Sequence, residues 1–319
     1  MEFGIISLGN HATTRVMPSI TKSGSRITHI YSRDRDKGEK ISREFGAQFF
    51  GDLEEFIRQP FEAVYISSPN SLHFVHAKMA FEAGKSVLLE KPVTLSIKDT
   101  EELASLSRKM DLKFGIGFHL RFHPAVDEVK KYLSNKSIGE TRIASGKFTS
   151  NSVSVHDGTW WEMPEMAGGG SIAGRGVHIF DSFINLFGKE VNLVKASNSP
   201  RCAVIEDTMQ ATFEFNNGII ANALSSRVIS SIGNDLLIYG SEGNLMVTNF
   251  YATSVSSAVY LNGKMIKEFD SGTNMYEEEV KDFTGDFRKI AGPEEAILST
   301  KMHLLSQQAA CSGTSVEIK

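Results

Sequence analysis

Lys91 and His178 are of types that can stabilise negative charge and transfer a proton, and both lie where a site could form. Lys91 follows a short apolar run, and His178 lies shortly after the triple glycine at residues 168–170. Oxidation of an alcohol removes the hydroxyl proton as the hydride leaves, and the pKa of histidine suits that transfer. A lysine at the carboxyl edge of a parallel sheet can stabilise the developing alkoxide. Both residues are therefore candidates for catalysis; the alternatives are a solvated lysine and a structural helix histidine.

The turn after the first apolar run has a dinucleotide-binding pattern. Its residues are Ser7, Leu8, Gly9, Asn10, His11 and Ala12. In the pattern G-x-G-x-x-G/A, the second glycine lets the backbone approach a pyrophosphate and the third position needs a small residue for helix packing. Gly9 and Ala12 fit these roles, whereas Ser7 replaces the first glycine. The turn is a candidate cofactor site, although an ordinary strand–turn–helix fits the altered motif as well.

The end of the second predicted strand indicates which cofactor binds. An NAD-preferring site usually has Asp or Glu there for the ribose hydroxyls. This chain has Tyr31, Ser32 and Arg33 instead. A hydroxyl and a guanidinium suit a 2′-phosphate. We therefore expect Ser32 and Arg33 to favour NADP over NAD, the alternative being a solvated basic turn, since Arg35 and Lys37 follow.

The elements that position these residues differ between the two halves of the chain. In the first half, strands are predicted at residues 3–8, 26–31, 63–67, 86–90 and 114–118, with helices between them that include residues 71–83 and 96–110. Alternating strands and helices predict a Rossmann domain with a doubly wound parallel sheet. We assign residues 1–120 to this domain.

The second half has helical patterns at residues 124–133 and 172–186, a strand at 141–150 and two hairpin signals. Residues 210–215 and 219–224 flank Asn-Asn-Gly, and residues 258–261 and 265–269 flank Asn-Gly. Asn-Gly between apolar runs is a strong hairpin signal. We expect residues 121–319 to form an open, mostly antiparallel sheet with helices on one face. Its two closing helices, at 276–290 and 293–311, can pack back on the first domain.

Composition excludes several classes of protein. The 319 residues have a formal net charge of -4, so there is no electrostatic case for nucleic acid or an anionic membrane. No apolar stretch approaches the roughly 20 residues of a membrane span, and no signal-peptide pattern is present. Cys202 and Cys311 lack metal-ligand spacing and read as isolated, buried thiols of a reducing compartment. We expect a cytoplasmic protein without a metal.

Four segments together resemble the glucose–fructose oxidoreductase / inositol dehydrogenase (Gfo/Idh/MocA) family. They are Ser68-Pro69-Asn70-Ser71-Leu72-His73, Glu90-Lys91-Pro92, residues 117–124 and the stretch from Gly168 to Asp181. The resemblance implies a nicotinamide cofactor, NADP or NAD, and reversible hydride transfer at a hydroxyl-bearing carbon of a sugar or cyclitol. It also implies a homodimer or homotetramer formed through the second sheet. Strands at 209–224 and 236–247, which carry apolar residues on both alternations, agree with that assembly.

The resemblance also implies roles for individual residues. Lys91 would contact the reacting oxygen with Glu90 as its support, and His178 would transfer the proton. The nicotinamide side of the cofactor would be lined by Ser68, Pro69, Asn70 and His73. The cofactor and substrate cleft would be bordered by Arg121 and Trp161. Asp181 is as readily a structural helix partner as a catalytic group.

One position departs from the family pattern. Members usually carry Asp four residues before the histidine, on the same helix face, but position 174 is glycine here. Two hypotheses follow: an oxidoreductase with a modified site, or a cofactor-binding sensor or regulator with little turnover. The adjacent Arg175 favours an acidic or phosphorylated substrate if it faces the site, and has no such role if it points to solvent.

Overall fold

A computed structural model describes residues 1–153, 158–230, 233–252 and 255–319. The chain divides into two compact units. Unit 1 consists of Met1–His119 and Asn274–Thr300, and unit 2 consists of Leu120–Thr273 and Lys301–Lys319. Residues 274–300, which include one of the two predicted closing helices, group with unit 1.

Unit 1 is built on a parallel sheet of six strands in the order β3-β2-β1-β4-β5-β6. The strands are β1 (Glu2–Ile6), β2 (Arg26–Tyr31), β3 (Gln48–Phe50), β4 (Ala63–Ile66), β5 (Ser86–Leu89) and β6 (Phe114–Ile116). The central strands are apolar because both faces are covered; all four residues of β4 are buried. The strand order reverses between β1 and β4, and ligands bind at such a switch point in doubly wound sheets. The predicted Rossmann fold is confirmed.

Several helices of unit 1 begin at a residue whose side chain caps the first turn. The helices of the unit are a π-helical turn (Ala12–Val16) that continues as α1 (Met17–Lys22), then α2 (Arg35–Phe45), α3 (Leu53–Ile57), α4 (His73–Glu82) and α5 (Ile97–Lys109). Asp34 accepts a bond from the backbone N–H of Lys37 at the start of α2, and Ser96 does the same for Asp99 at the start of α5. These caps satisfy backbone N–H groups in the first turns of α2 and α5.

Unit 2 contains a nine-stranded sheet in the order β14-β13-β12-β11-β7-β10-β9-β8-β15. The strands are β7 (Thr141–Thr149), β8 (Val191–Ser199), β9 (Thr208–Phe215), β10 (Ile220–Ser226), β11 (Leu236–Gly240), β12 (Asn244–Val247), β13 (Ser257–Leu261), β14 (Lys264–Phe269) and β15 (Val316–Glu317). Pairing is antiparallel except between β7 and β10. Both Asn-Gly hairpins are confirmed, and Asn262 and Gly263 have φ of 51° and 78°, as a tight hairpin turn requires.

Unit 2 has helical parts before and after the glycine-rich segment along the chain. They are α6 (Ala125–Ser134), the single turn Trp160–Glu162, α7 (Pro164–Ala167), and a π-helical turn (Ile172–Gly176) that continues as α8 (Val177–Phe187). Helix α8 is hydrophobic almost all round, and most of its side chains are buried. A helix of this kind is held by packing on all sides, so it gives His178 a fixed position.

The returning segment completes unit 1 beyond β6. It contains α9 (Met275–Thr284) and the start of α10 (Pro293–Ser312). The backbone N–H of Ile116 in β6 donates to Ala291 at 3.0 Å, and Lys113 Nζ donates to the carbonyls of Phe283 and Gly285. An edge strand exposes unpaired backbone groups, so this segment supplies partners that the first 120 residues lack.

The two cysteines correct a further expectation. Cys202, in the β8–β9 connection, and Cys311, near the end of α10, form a disulfide with a Cα–Cα distance of 4.6 Å. Both residues are exposed, whereas isolated and buried thiols were expected. Their separation of 109 residues concealed the pairing, because only the fold brings the two segments together. No described helix is long and apolar enough to cross a membrane.

Candidate functional site

A cavity of about 270 Å³ lies at the carboxyl ends of β1, β2 and β4 in unit 1. Among the residues expected to bind the cofactor, it is lined by Ser7, Gly9, Ser32, Arg33, Ser68 and Pro69. Three separate strand-end turns therefore meet at the switch point of the sheet, as a dinucleotide site requires. Asn10, His11 and Ala12 form the start of the first helix instead.

The first turn keeps the geometry of the fingerprint despite its altered residue. Ser7 has a φ of 78°, a conformation that glycine adopts readily and other residues seldom do. A Cβ at Gly9 would meet no heavy atom within 4 Å, so the backbone there is open to a phosphate. Ala12 is fully buried, which agrees with a packing role for the third fingerprint position. The turn fits a pyrophosphate even though Ser7 replaces the first glycine.

The second turn carries two cations and one carboxylate. Arg33, Asp34 and Lys37 all line the cavity. The Asp34 carboxylate accepts from the backbone N–H of Lys37 at 3.0 Å and caps α2, while the Asp34 N–H donates to Ser32 Oγ at 3.1 Å. Sequence reasoning passed over Asp34, although an Asp before a helical run is a cap signal. The carboxylate is thus engaged by its own helix, and the local charge favours an anion.

The third turn is braced by two histidines. His76 Nδ1 lies 2.9 Å from Ser68 Oγ and lines the cavity, a role that the sequence did not reveal. His73 is fully buried; its ring nitrogens lie 2.9 Å from the Ser68 carbonyl and 2.8 Å from the Pro92 carbonyl. Burial lowers the pKa of both histidines, that of His76 to about 4. His73 therefore joins the turn after β4 to the turn after β5, and Asn70 is buried beside it.

Glu90 is held as a buried carboxylate beside Lys91. It accepts from Tyr65 Oη at 2.9 Å and from the Lys91 backbone N–H at 3.3 Å, and His11 Nε2 lies 3.4 Å away. Burial alone would raise the pKa of Glu90, but His11, Lys91 and Tyr65 together lower it to about 2. A Cβ at Gly117 would lie 3.1 Å from Glu90 Oε1, so that glycine leaves room for the carboxylate. The Glu-Lys-Pro turn thus contains a fixed negative charge next to Lys91.

An aromatic residue of the returning segment contacts this group. The Tyr276 ring meets His11 edge-on at 5.3 Å between centroids and stacks on His119 at 4.4 Å. Burial raises the pKa of Tyr276 above its usual value. No pattern near the first 120 residues pointed to Tyr276, because its contact depends on the return of the chain. Among the described residues, no group of three or more His, Cys, Asp or Glu side chains is arranged to hold a metal ion.

The glycine loop before His178 wraps a buried carboxylate. Glu206 accepts from the backbone N–H groups of Gly170 and Ile172, and from Ser171 Oγ. Burial raises the pKa of Glu206. A Cβ at Gly170 would come within 2.1 Å of the Glu206 carbonyl oxygen, so only glycine fits there. Sequence reasoning missed Glu206, for which the triple glycine was the one signal of a close backbone approach.

His178 follows this loop in the first turn of α8. It is 4% exposed, and its ring centroid lies 6.0 Å from that of Phe148 on β7. A Cβ at Gly174, four residues earlier, would meet no heavy atom within 4 Å in the described part of the chain. Lys91 belongs to unit 1 and His178 to unit 2.

The remaining predicted residues of unit 2 contact other side chains of the same unit. Arg121 forms a bidentate ion pair with Asp181, with Nε 2.9 Å and 3.0 Å from the two carboxylate oxygens, and both side chains are buried. The pair agrees with a structural role for Asp181, one of the two roles that the sequence left open. Trp161 is half-buried and stacks on Trp160 at 4.4 Å. His123 accepts from the backbone N–H of Ala125 at the start of α6, and burial lowers its pKa to about 4.

Known families match most of the chain. Residues 1–118 match the oxidoreductase family with an NAD-binding Rossmann fold (Gfo/Idh/MocA), and residues 126–246 match the GFO/IDH/MocA C-terminal domain. The 1,5-anhydro-D-fructose reductase of Ensifer adhaerens is 26% identical over 331 residues, which cover 100% of this chain and 98% of that protein. An uncharacterized oxidoreductase of Synechocystis is 29% identical over 68% of this chain, but the match spans only 63% of that relative.

Solved structures share the whole fold. The aldose-aldose oxidoreductase from Caulobacter crescentus, solved with glycerol, superimposes with a TM-score of 0.89 at 22% identity and covers 100% of this chain and 99% of its own. A 3-ketoreductase from Actinomadura kijaniata, solved with NADP and TDP-benzene, superimposes with a TM-score of 0.84 at 19% identity over 97% of both chains. The family matches cover both halves of the chain and agree with its two sheets. This chain therefore belongs to the Gfo/Idh/MocA family of NAD-binding oxidoreductases.

Proposed function

We propose that this chain is an NADP-linked oxidoreductase that interconverts a hydroxyl and a carbonyl on a sugar, cyclitol or related compound. The observation that carries the proposal is the Glu-Lys-Pro turn, where an ionised Glu90 lies beside Lys91 on the same sheet edge as the cofactor cavity. The reductase and oxidoreductase names of the relatives, which refer to sugars, support the substrate class.

The bound nicotinamide would accept the hydride from the reacting carbon. The residues of the chain then have separate tasks. Ser7 and Gly9 would hold the pyrophosphate, and Ser68 and Pro69 would lie along the cofactor. Lys91 would stabilise the oxygen as negative charge develops on it, which is the larger electrostatic task in such a step. His178 would take the hydroxyl proton, so that the alcohol loses one hydride and one proton and becomes a carbonyl.

The preference for NADP is supported by the second turn. A 2′-phosphate there would meet Ser32, Arg33 and Lys37, while the one carboxylate nearby, Asp34, is engaged as a helix cap. A charge-assisted hydrogen bond contributes about 1.5–3 kcal/mol, which is roughly tenfold to a hundredfold in affinity. The same turn in an NAD enzyme would offer its carboxylate to the ribose instead.

The test is steady-state turnover of a panel of polyols, sugars and sugar acids with NADP and NAD. Lys91→Ala and His178→Ala should each slow the best substrate by about 10²–10⁴-fold. Lys98→Ala is a matched control, because Lys98 is an exposed lysine at the start of α5. If either catalytic variant turns over a good substrate at the native rate, the corresponding role is wrong.

The second candidate function is a cofactor-binding sensor, which the glycine at position 174 favours. The same experiment separates the two functions when cofactor affinity is measured alongside turnover. Tight NADP binding by calorimetry without turnover of any panel member would support the sensor. Measurable turnover that depends on Lys91 and His178 would support the enzyme.

A further inference from the structure

The helix that carries His178 also carries a cation whose direct contacts are hydroxyls. Arg175 lies in the π-helical turn, three residues before His178. One terminal nitrogen of its guanidinium donates to Ser150 Oγ and, at 2.5 Å, to Ser152 Oγ. Within the described ranges, no carboxylate lies at ion-pair distance from this guanidinium. Arginine offers five N–H donors, and among the described residues only one terminal nitrogen of Arg175 has hydrogen-bond partners.

The neighbouring arginine shows the usual arrangement for comparison. Arg227 Nε donates to Asp207 at 2.9 Å, and its NH1 nitrogen donates to Glu162 at 2.6 Å. Asp207 and Glu162 are thus already engaged by Arg227. Burial, together with the nearby charge of Arg227, lowers the pKa of Arg175 to about 10, which still leaves it a cation at neutral pH. A half-buried cation of this kind gains from an anionic ligand.

The position of Arg175 ties it to the candidate proton-transferring residue. Phe148, Ser150 and Ser152 are every second residue of the segment that begins in β7. In an extended segment, every second side chain lies on the same face. Phe148 contacts His178, while Ser150 and Ser152 bind Arg175. Pairing with the end of β10 continues past β7, because the N–H groups of both serines donate to carbonyls at residues 226 and 227. Arg175 and His178 therefore face one strand about one helical turn apart, roughly 5 Å along the axis.

The adjacent glycine leaves space on this wall of unit 2. A side chain at position 174 would lie four residues before His178, and a Cβ placed there would meet no described heavy atom within 4 Å. A substrate that reaches His178 therefore has room beside Arg175 for a further group. A small anionic group at that place would meet a cation and two hydroxyls.

We propose that Arg175 determines specificity by binding an anionic group of the substrate, so that the enzyme acts on a sugar acid or a sugar phosphate in preference to a neutral sugar. The proposal rests on the function proposed above. A carboxylate and a phosphate share the chemistry that a guanidinium with two hydroxyls recognises. Ser150 and Ser152 hold the guanidinium in place, and its remaining nitrogens bind the anion.

The experiment compares three forms of the same sugars in the presence of saturating NADP. The probes are D-glucose, D-galactose and D-mannose, their uronates and their 6-phosphates. Binding is measured by calorimetry, and turnover is followed by nicotinamide absorbance. We expect the native protein to bind at least one anionic series about tenfold to a hundredfold more tightly than the neutral series. The two anionic arms show whether the group is a carboxylate or a phosphate.

Three variants identify the residue responsible. Arg175→Gln should remove the anionic preference while leaving affinity for neutral sugars within about twofold. Arg175→Lys keeps the charge and should retain part of the preference, although lysine cannot bind bidentately. Arg142→Gln is the matched control, since Arg142 is an exposed arginine on β7, and it should change nothing. A preference for the anionic series that survives Arg175→Gln overturns the proposal.

If Arg175→Gln does not fold, binding measurements on the native protein alone still test the specificity proposal. Equal affinity of the native protein for neutral and anionic sugars overturns the specificity proposal, even where turnover establishes the enzyme. Arg175-dependent binding of anionic sugars without turnover supports the anion site and contradicts the proposed catalysis. Failure of the specificity proposal and failure of the proposed catalysis are therefore distinguishable. Binding affinities test the specificity proposal, and turnover tests the catalysis.

Discussion

Gly174→Asp restores the carboxylate that most family members place four residues before the histidine. Residues four apart share a helix face, so the new carboxylate can meet the His178 imidazole. The site has room for it, since a Cβ at Gly174 would meet no heavy atom within 4 Å of the described chain. Loss of an orienting partner typically costs about 10–100-fold for a histidine in comparable settings. We expect Gly174→Asp to raise turnover of the best substrate by up to that factor.

The stability of the variant should stay close to that of the native protein. Aspartate is a slightly better helix former than glycine, by a few tenths of a kcal/mol. The position is half-buried rather than enclosed, so the new carboxylate keeps contact with water. Thermal denaturation and steady-state kinetics are measured on the same preparations. Gly174→Asn has nearly the same shape without the charge and should leave turnover near the native rate.

Two outcomes would refute this reasoning. If Gly174→Asp folds with an unchanged melting temperature and turns over no faster than the native protein, orientation is not what the site lacks. If Gly174→Asn accelerates turnover as much as Gly174→Asp, the effect comes from packing and not from the carboxylate. Gly174→Ala tests the space itself, because a methyl group that slows a bulky substrate shows that the glycine accommodates it.

The remaining predictions concern stability, cofactor choice and assembly. Ser7→Gly should raise the free energy of unfolding by about 1 kcal/mol, because glycine adopts a φ of 78° without steric cost; denaturant unfolding measures it, and a loss of stability contradicts the idea. Arg33→Ala should weaken NADP binding by about tenfold or more and leave NAD binding nearly unchanged in calorimetry; equal losses would show that Arg33 does not read the 2′-phosphate. Burial lowers the pKa of His76, His123 and His303 to about 4 from 6.5, so the unfolded chain binds more protons between those values. Stability should therefore be full above pH 6.5 and fall towards pH 4, by at most about 3 kcal/mol per histidine, and a flat melting temperature over that range argues against neutral buried rings. Light scattering at micromolar concentration should show a dimer or tetramer, because exposed apolar side chains of β7, β10 and β11 lie in register on one face of the sheet; a species near 35.1 kDa contradicts it.

Local patterns predicted the elements that position the cofactor. The alternation of strands and helices in the first 120 residues, and the Asn-Gly turns later, are signals that neighbouring residues carry by themselves. The predicted helix at 276–290 was too long, because it ends at Thr284. There the Asp282 carboxylate accepts backbone N–H groups from residues 288–290 and holds a loop. A carboxylate that binds the backbone in place of the next helical turn leaves no periodic trace in the sequence.

The features that the sequence did not reveal depend on distant segments. Glu206 fills the glycine loop from 34 to 36 residues away, and Tyr276 packs on His11 from the returning segment. Cys202 and Cys311 lie 109 residues apart and pair. The types of these residues gave no indication of their partners. These residues are identified only by contacts that the fold brings about. The motif residues that line the cofactor cavity differ, because each strand-end turn can be recognised from its own short stretch of sequence.

The cysteine pair has a consequence for how the chain responds to a break. The chain passes between the units at three points, and the bond between Cys202 and Cys311 closes a covalent ring that contains two of them, after Thr273 and after Thr300. A protease that cuts one peptide bond within this ring opens it without releasing a fragment. A nicked molecule would migrate at full mass in a denaturing gel without reductant and separate into two pieces once thiol is added. A single cut in the segment that completes unit 1 would therefore leave the two pieces of the chain covalently joined.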